Sequence, residues 1–112
     1  MRISQRSVGD VTVIDIEGRL ILDDGFEPLR QALNHAIGHG RKKLLLNLDG
    51  ATYLDSAGVG LIACKYVTAH RQGGMLKLCN LHERCQEVLS VTKLLTVFET
   101  FDNEGSAVAS FK

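Results

Sequence analysis

Residues 44–63 read Leu44-Leu45-Leu46-Asn47-Leu48-Asp49-Gly50-Ala51-Thr52-Tyr53-Leu54-Asp55-Ser56-Ala57-Gly58-Val59-Gly60-Leu61-Ile62-Ala63, and their order decides the fold. The first five are nearly continuous in apolar side chains, the pattern of a strand covered on both faces by helices. Such a strand belongs near the centre of a sheet. From Val59 the apolar residues recur as Ile62, Ala63, Tyr66 and Val67, the spacing of a helix that buries one stripe. A strand that feeds a helix through Asp55 and Ser56 is half of a βαβ unit, and parallel strands joined by right-handed crossovers follow.

The flanking segments extend this pattern. Towards the amino terminus Ile14, Ile16, Leu20 and Leu22 keep a period of two through Gly18, which predicts a long strand. Gly9-Asp10 predicts a tight turn from a shorter strand over residues 3–7, making an opening hairpin. Pro28 suits a first helical turn, and Leu29, Ala32, Leu33, Ala36 and Ile37 recur at helical spacing until Gly38 and Gly40 end the run. Beyond Gly73-Gly74, Leu76 and Leu78 alternate as a strand, and Cys85, Val88 and Leu89 mark a third helix. Residues 97–101 are strand-like and residues 105–111 make a short last helix. The expectation is one α/β domain over residues 1–112: a mixed, largely parallel sheet with an N-terminal hairpin, helices packed against it, the third strand central, and the second helix starting within two residues of Ser56.

Length and charge narrow the function. A chain of 112 residues has room for one domain. Thirteen Lys and Arg cancel thirteen Asp and Glu, which removes the electrostatic footprint of a nucleic-acid binder or a polybasic membrane anchor. Cys64, Cys79 and Cys85 are odd in number and lack a C-x-x-C spacing, so they read as buried free thiols, with neither a disulfide framework nor a zinc site. His35 and His39, four apart, lack the third ligand that a metal needs, and with His70 and His82 they read as solvated. The start of the chain lacks the apolar core of a signal peptide, and no apolar run approaches the roughly 18 residues of a membrane span. The protein reads as soluble and cytoplasmic, with no metal, cofactor, nucleic acid or membrane among its partners.

In open parallel sheets the carboxyl ends of the strands form the ligand edge. Acidic residues follow the strands here: Asp23 and Asp24 the second, Asp49 and Asp55 the third. Arg41, Lys42 and Lys43 fall at the opposite edge. The sharpest feature is Asp55-Ser56-Ala57-Gly58-Val59-Gly60. Ser56 reads as the N-cap, a role that would by itself account for a lone serine. Two glycines in the first turns each cost about 1 kcal/mol of helix propensity, with no structural return visible in the sequence. Glycine also lets another backbone or a phosphate approach closely. A hydroxyl set between glycines at the positive end of a helix dipole is a good carrier for a phosphoryl group.

Other chemistries fit less well. Gly58 to Ala63 satisfies the loose G-x-G-x-x-G/A dinucleotide pattern, but Asn80 stands where an acidic residue should end the next strand. Asp23-Asp24 followed by a later aspartate is similar to the acidic site of receiver domains, yet one helix separates pair from acceptor and residues 97–101 hold no lysine. Ser56 also lacks the G-x-S-x-G elbow of a serine nucleophile.

With the motif from Tyr53 to Gly60 in place, the chain resembles a STAS domain of the anti-sigma-factor antagonist family. The hairpin ending Glu17-Gly18-Arg19-Leu20, the leucine-rich strand, the D-S-x-G-[LV]-G turn and the helix ending Val91-Thr92-Lys93-Leu94 fall in that family's order over nearly the whole chain. The resemblance implies a regulatory protein that is not an enzyme. Its unphosphorylated form would bind a serine-kinase anti-sigma factor, phosphorylation on Ser56 would release it, and a metal-dependent serine phosphatase would restore it. It further implies a partner-binding surface of Asp23, Asp24, Asp55, Ser56, Ala57, Gly58, Val59 and Gly60. Ala57 stands where many relatives carry a second hydroxyl, and Lys93 where a glycine is common. The competing expectation is a STAS scaffold that binds partners without phosphate turnover, as a subunit of a signalling assembly or of a lipid-transport ATPase. A small nucleotide-binding module using Gly58 and Gly60 is a third.

Overall fold

The computed structural model describes residues 1–21, 25–93 and 97–111. Two strands open the chain, β1 (Arg2–Val8) and β2 (Val11–Leu20), followed by α1 (Glu27–Gly38), β3 (Lys43–Leu54) and α2 (Ser56–Arg71). Then come β4 (Met75–Cys79), α3 (Glu83–Val91), β5 (Thr100–Phe101) and α4 (Glu104–Ala109). The strands form one five-stranded sheet in the order β1-β2-β3-β4-β5, with β1 antiparallel to β2 and the other pairs parallel. β3 is central, as its leucines require. The hairpin closes on Val8 paired with Val11, and Gly9 supplies the positive φ, +61°, that a two-residue turn places on its first central residue.

Alternate residues of β3 feed two cores. Leu44, Leu46 and Leu48 join Leu29, Leu33, Ile62 and Leu89 from α1, α2 and α3, while Leu45 joins Val11, Val13, Cys79 and Ala107 beneath α4. The sheet therefore has three helices on one face and one short helix on part of the other.

Several boundaries differ from the sequence expectation. β3 does not end at Asp49-Gly50 but continues to Leu54; a bulge shifts its register, so that Asp15 pairs with Asn47 and Glu17 with Gly50. Asp49 thus lies within the strand, because a bulge in a strand uses the same residue types as a turn. β5 shrinks to Thr100–Phe101 since Phe98, expected within the strand, instead turns into the larger core edge-to-face with Tyr66, their centroids 5.4 Å apart. α4 ends at Ala109, short of residue 111. Cys79 and Cys85 are buried as expected, but Cys64 is exposed because it falls off the buried stripe of α2. At the end of α3, Lys93 takes φ +63°, the left-handed conformation that glycine adopts without a Cβ penalty.

Candidate functional site

The end of β3 delivers Leu54 into the core, and the chain turns into α2 at Asp55. Both Asp55 and Ser56 are good capping types, and the backbone selects the first. Asp55 is extended at φ −106°, ψ 176°, and its Oδ1 accepts from the Gly58 backbone N–H at 2.8 Å. Ser56 is consequently the first helical residue and not the N-cap that the sequence suggested. Its side-chain hydroxyl makes no hydrogen bond among the described residues. Capping, the bland account of this serine, is already done by its neighbour.

The glycines divide in the same way. A Cβ on Gly58 would lie 2.5 Å from the Leu20 carbonyl oxygen and 2.9 Å from Leu54 Cδ1, so the helix start can sit on the end of β2 only with hydrogen there. Packing therefore explains Gly58, against the sequence expectation that it had no structural return. A Cβ on Gly60 would meet nothing within 4 Å. Gly60 is exposed four residues after Ser56, on the same helix face. Within the turn, Ser56 and Gly60 are exposed, Asp55 and Ala57 are half-buried, and Gly58 and Val59 are buried, so those two shape the turn from beneath and offer no side-chain surface. Asp23 and Asp24 lie outside the described residues.

Beside Ser56 runs a groove of about 280 Å³ between the start of α2 and the outer face of α3, walled by Glu87, Val88, Val91 and Thr92. Val91 is 82% exposed, an unusual state for an isopropyl group at the end of a helix. On the same edge Tyr53 is half-exposed with the Arg84 guanidinium 5.1 Å from its ring centroid, and His82 Nε2 donates to the Asp49 carbonyl. The residues of α3 escaped the sequence reading. The available signal was Val91 itself, apolar yet off the stripe set by Cys85, Val88 and Leu89. Chemically, the site pairs an uncommitted hydroxyl at a helix N-terminus with the carboxylates of Asp55 and Glu87 and a small apolar groove.

A second polar cluster is held by structural partners. On the opposite face of the sheet Arg6 bridges Asp15, at 2.7 Å, and Glu104, and Asn47 links Glu104 with Asn80. Arg6 holds the Glu104 carboxyl below its ordinary range. Burial pushes the Cys79 thiol up to about 12 and raises that of Cys85 as well. Among the described residues no group of three or more His, Cys, Asp or Glu is placed to hold a metal, and no helix is long and apolar enough to cross a membrane.

The family model described as STAS domain matches residues 2–107. An anti-sigma F factor antagonist of Paenibacillus polymyxa is 24% identical over 85 residues, 75% of this chain and 73% of its own. BtrV of Bordetella bronchiseptica, whose name marks it as a candidate anti-sigma factor antagonist, is 22% identical over 112 residues, covering 100% of this chain and 96% of its own. Among solved structures, the anti-sigma factor antagonist SpoIIAA in its unphosphorylated form superposes with a TM-score of 0.81 at 21% identity, covering 98% of this chain and 96% of that one. SpoIIAA of Bacillus in its phosphorylated form gives 0.77 at 21% identity over 99% and 100%. At these identities the structural likeness speaks to the fold.

Proposed function

Because the chain belongs to the STAS domain family, we propose that it is an anti-sigma-factor antagonist working in a partner-switching circuit, with Ser56 as its phosphoacceptor. The unphosphorylated protein binds a serine-kinase anti-sigma factor; phosphorylation on Ser56 releases it; a metal-dependent serine phosphatase restores it. One observation carries the reading: the Ser56 hydroxyl is exposed at the first residue of α2 while Asp55 takes the cap. A group held in a cap must break that bond to react, and this one need not. The kinase would approach across Gly60, where no side chain obstructs a partner's backbone, and Asp23 and Asp24 belong to the same surface in this proposal.

The charge arithmetic favours release. A phosphoryl group brings about −1.5 to −2 charges, and the helix N-terminus offsets part of this by roughly 0.3 to 1 kcal/mol. At an interface built around a neutral hydroxyl, Asp55 and Glu87, the same group adds like charge, and a mismatch of about 3 kcal/mol weakens binding on the order of a hundredfold. Incubation with the cognate kinase and Mg-ATP should therefore add one phosphoryl group, located on Ser56 by peptide mass spectrometry. Ser56→Ala should bind the partner as wild type does and stay bound in the presence of ATP. Ser56→Asp should bind roughly a hundredfold more weakly yet melt within a few degrees of wild type. Labelling on Thr52 in place of Ser56 would refute the assignment, and unchanged binding by Ser56→Asp would favour a scaffold without phosphate turnover.

A further inference from the structure

At the other end of α2 lies a second concavity, about 450 Å³, at the amino ends of β3 and β4. Its walls carry Lys42, Lys43, Lys77 and His70, with no carboxylate among the lining residues, while Met75 and the Phe111 ring supply an apolar floor. The volume falls within the roughly 300 to 1,000 Å³ of small-molecule pockets. We propose that this cleft binds a small anion attached to an apolar body, such as an aryl or alkyl phosphate or carboxylate.

Three features support the assignment. First, Lys77 is fixed in place: its side chain is 8% exposed, and its ammonium donates to the Ser110 carbonyl and hydroxyl at 3.1 and 2.9 Å and stands 4.5 Å from the Phe111 centroid. A buried, oriented cation beside an aromatic ring is preorganised for an anion with a flat or apolar tail. Second, the balancing carboxylates lie at the surface. Lys77 pairs with Glu99 and Lys43 with Asp10, carboxylates whose side chains are 55% and 70% exposed. The Lys43–Asp10 pair, open to solvent on both sides, is weak enough for an incoming anion to displace. The buried Lys77, its protons given to Ser110 and Glu99, contributes a fixed positive charge. Third, Lys42 and His70 retain donors. Lys42 donates to the Gln72 carbonyl, which accounts for it as a neutralising charge at the α2 C-terminus, but its ammonium has further protons to give. The exposed His70 ring lies parallel to Tyr66, and neither of its nitrogens is hydrogen-bonded among the described residues. A single helix end calls for one cation; it does not call for Lys43, Lys77 and His70 around an apolar floor.

Ser56 and His70 stand at opposite ends of a helix that spans about 22 Å, so an occupant of the cleft would leave the Ser56 surface open. The proposal is independent of Ser56 chemistry.

Amide chemical-shift titration of the wild-type chain with phenyl phosphate, benzoate, inorganic phosphate and benzyl alcohol provides the test. Phenyl phosphate or benzoate should saturate with shifts confined to Lys42, His70, Gly73, Gly74, Met75 and Phe111; the tighter of the two names the anion as phosphate or carboxylate. Inorganic phosphate and benzyl alcohol should each bind at least about tenfold more weakly, since each lacks half of the ligand. The exposed double substitution Lys42→Gln, His70→Gln should lose roughly tenfold in affinity, whereas Arg41→Gln, an exposed charge outside the lining, should bind within about twofold of wild type. Failure of both aryl anions to saturate overturns the proposal, as do equal affinity for inorganic phosphate or an equal loss in Arg41→Gln, which would reduce the effect to general attraction by a basic edge.

Discussion

At Gly58 a methyl group would collide with the Leu20 carbonyl, a backbone atom that cannot step aside, whereas at Gly60 it would enter open space. The two positions therefore answer the same substitution with opposite signs. Gly58→Ala should destabilise the protein by about 2 kcal/mol through overpacking. Gly60→Ala should stabilise it by up to about 1 kcal/mol through helix propensity, raising the melting temperature by roughly 4 °C. Thermal melts of both variants check this, and equal losses would mean that Gly60 too is held by packing. The sequence displayed the motif but not this division, because the atom that forbids a side chain at Gly58 belongs to β2, far away along the chain. The cap was misplaced for a related reason: Asp55 and Ser56 both suit the role, and only the extended backbone at Asp55 chooses between them.

At the scale of elements, periodicity revealed what is locally encoded. The leucine run of β3 stands as expected, whereas the stripe of α2 does so only in part. Val59 and Ile62 are buried and Ala63 and Tyr66 half-buried, but Val67 is exposed and Leu61 and Ala69 are buried in its place, because α2 packs on both the sheet and its neighbouring helices. The short last helix was legible, but not that it covers the second face of the sheet, since it is tied there by Arg6 reaching Glu104 across 98 positions of sequence. That tie sets an acid response. The Glu104 carboxyl is held below its ordinary 4.5, chiefly by its bond to Arg6, so its contribution is full above about pH 5 and is lost as pH falls through the depressed value. Denaturant unfolding should show Glu104→Gln less stable than wild type by about 1 kcal/mol at pH 7, a modest figure because both side chains remain partly exposed, with the gap narrowing below pH 4. A gap constant with pH would remove the ion pair from the account.

For the molecule as a whole, the sheet separates two cores of unequal cover, and each contains one thiol: Cys85 lies under α3 within the larger, Cys79 under α4 within the smaller. Cys64 is exposed and should react at once with a thiol reagent at pH 8, leaving the other two protected by burial and, for Cys79, by a pKa near 12. If α4 opens more readily than the three-helix face, Cys79 should be labelled before Cys85, and mass spectrometry of timed samples would rank them. Simultaneous labelling would mean that both layers open only in global unfolding. The cap on Asp55 has a consequence over evolutionary time as well. Since the helix is started by the residue before it, position 56 bears little of the fold's stability and can change by single codons. A lineage of this fold could discard the hydroxyl, or replace it with a permanent carboxylate, and pass the altered tip to its descendants on an intact scaffold.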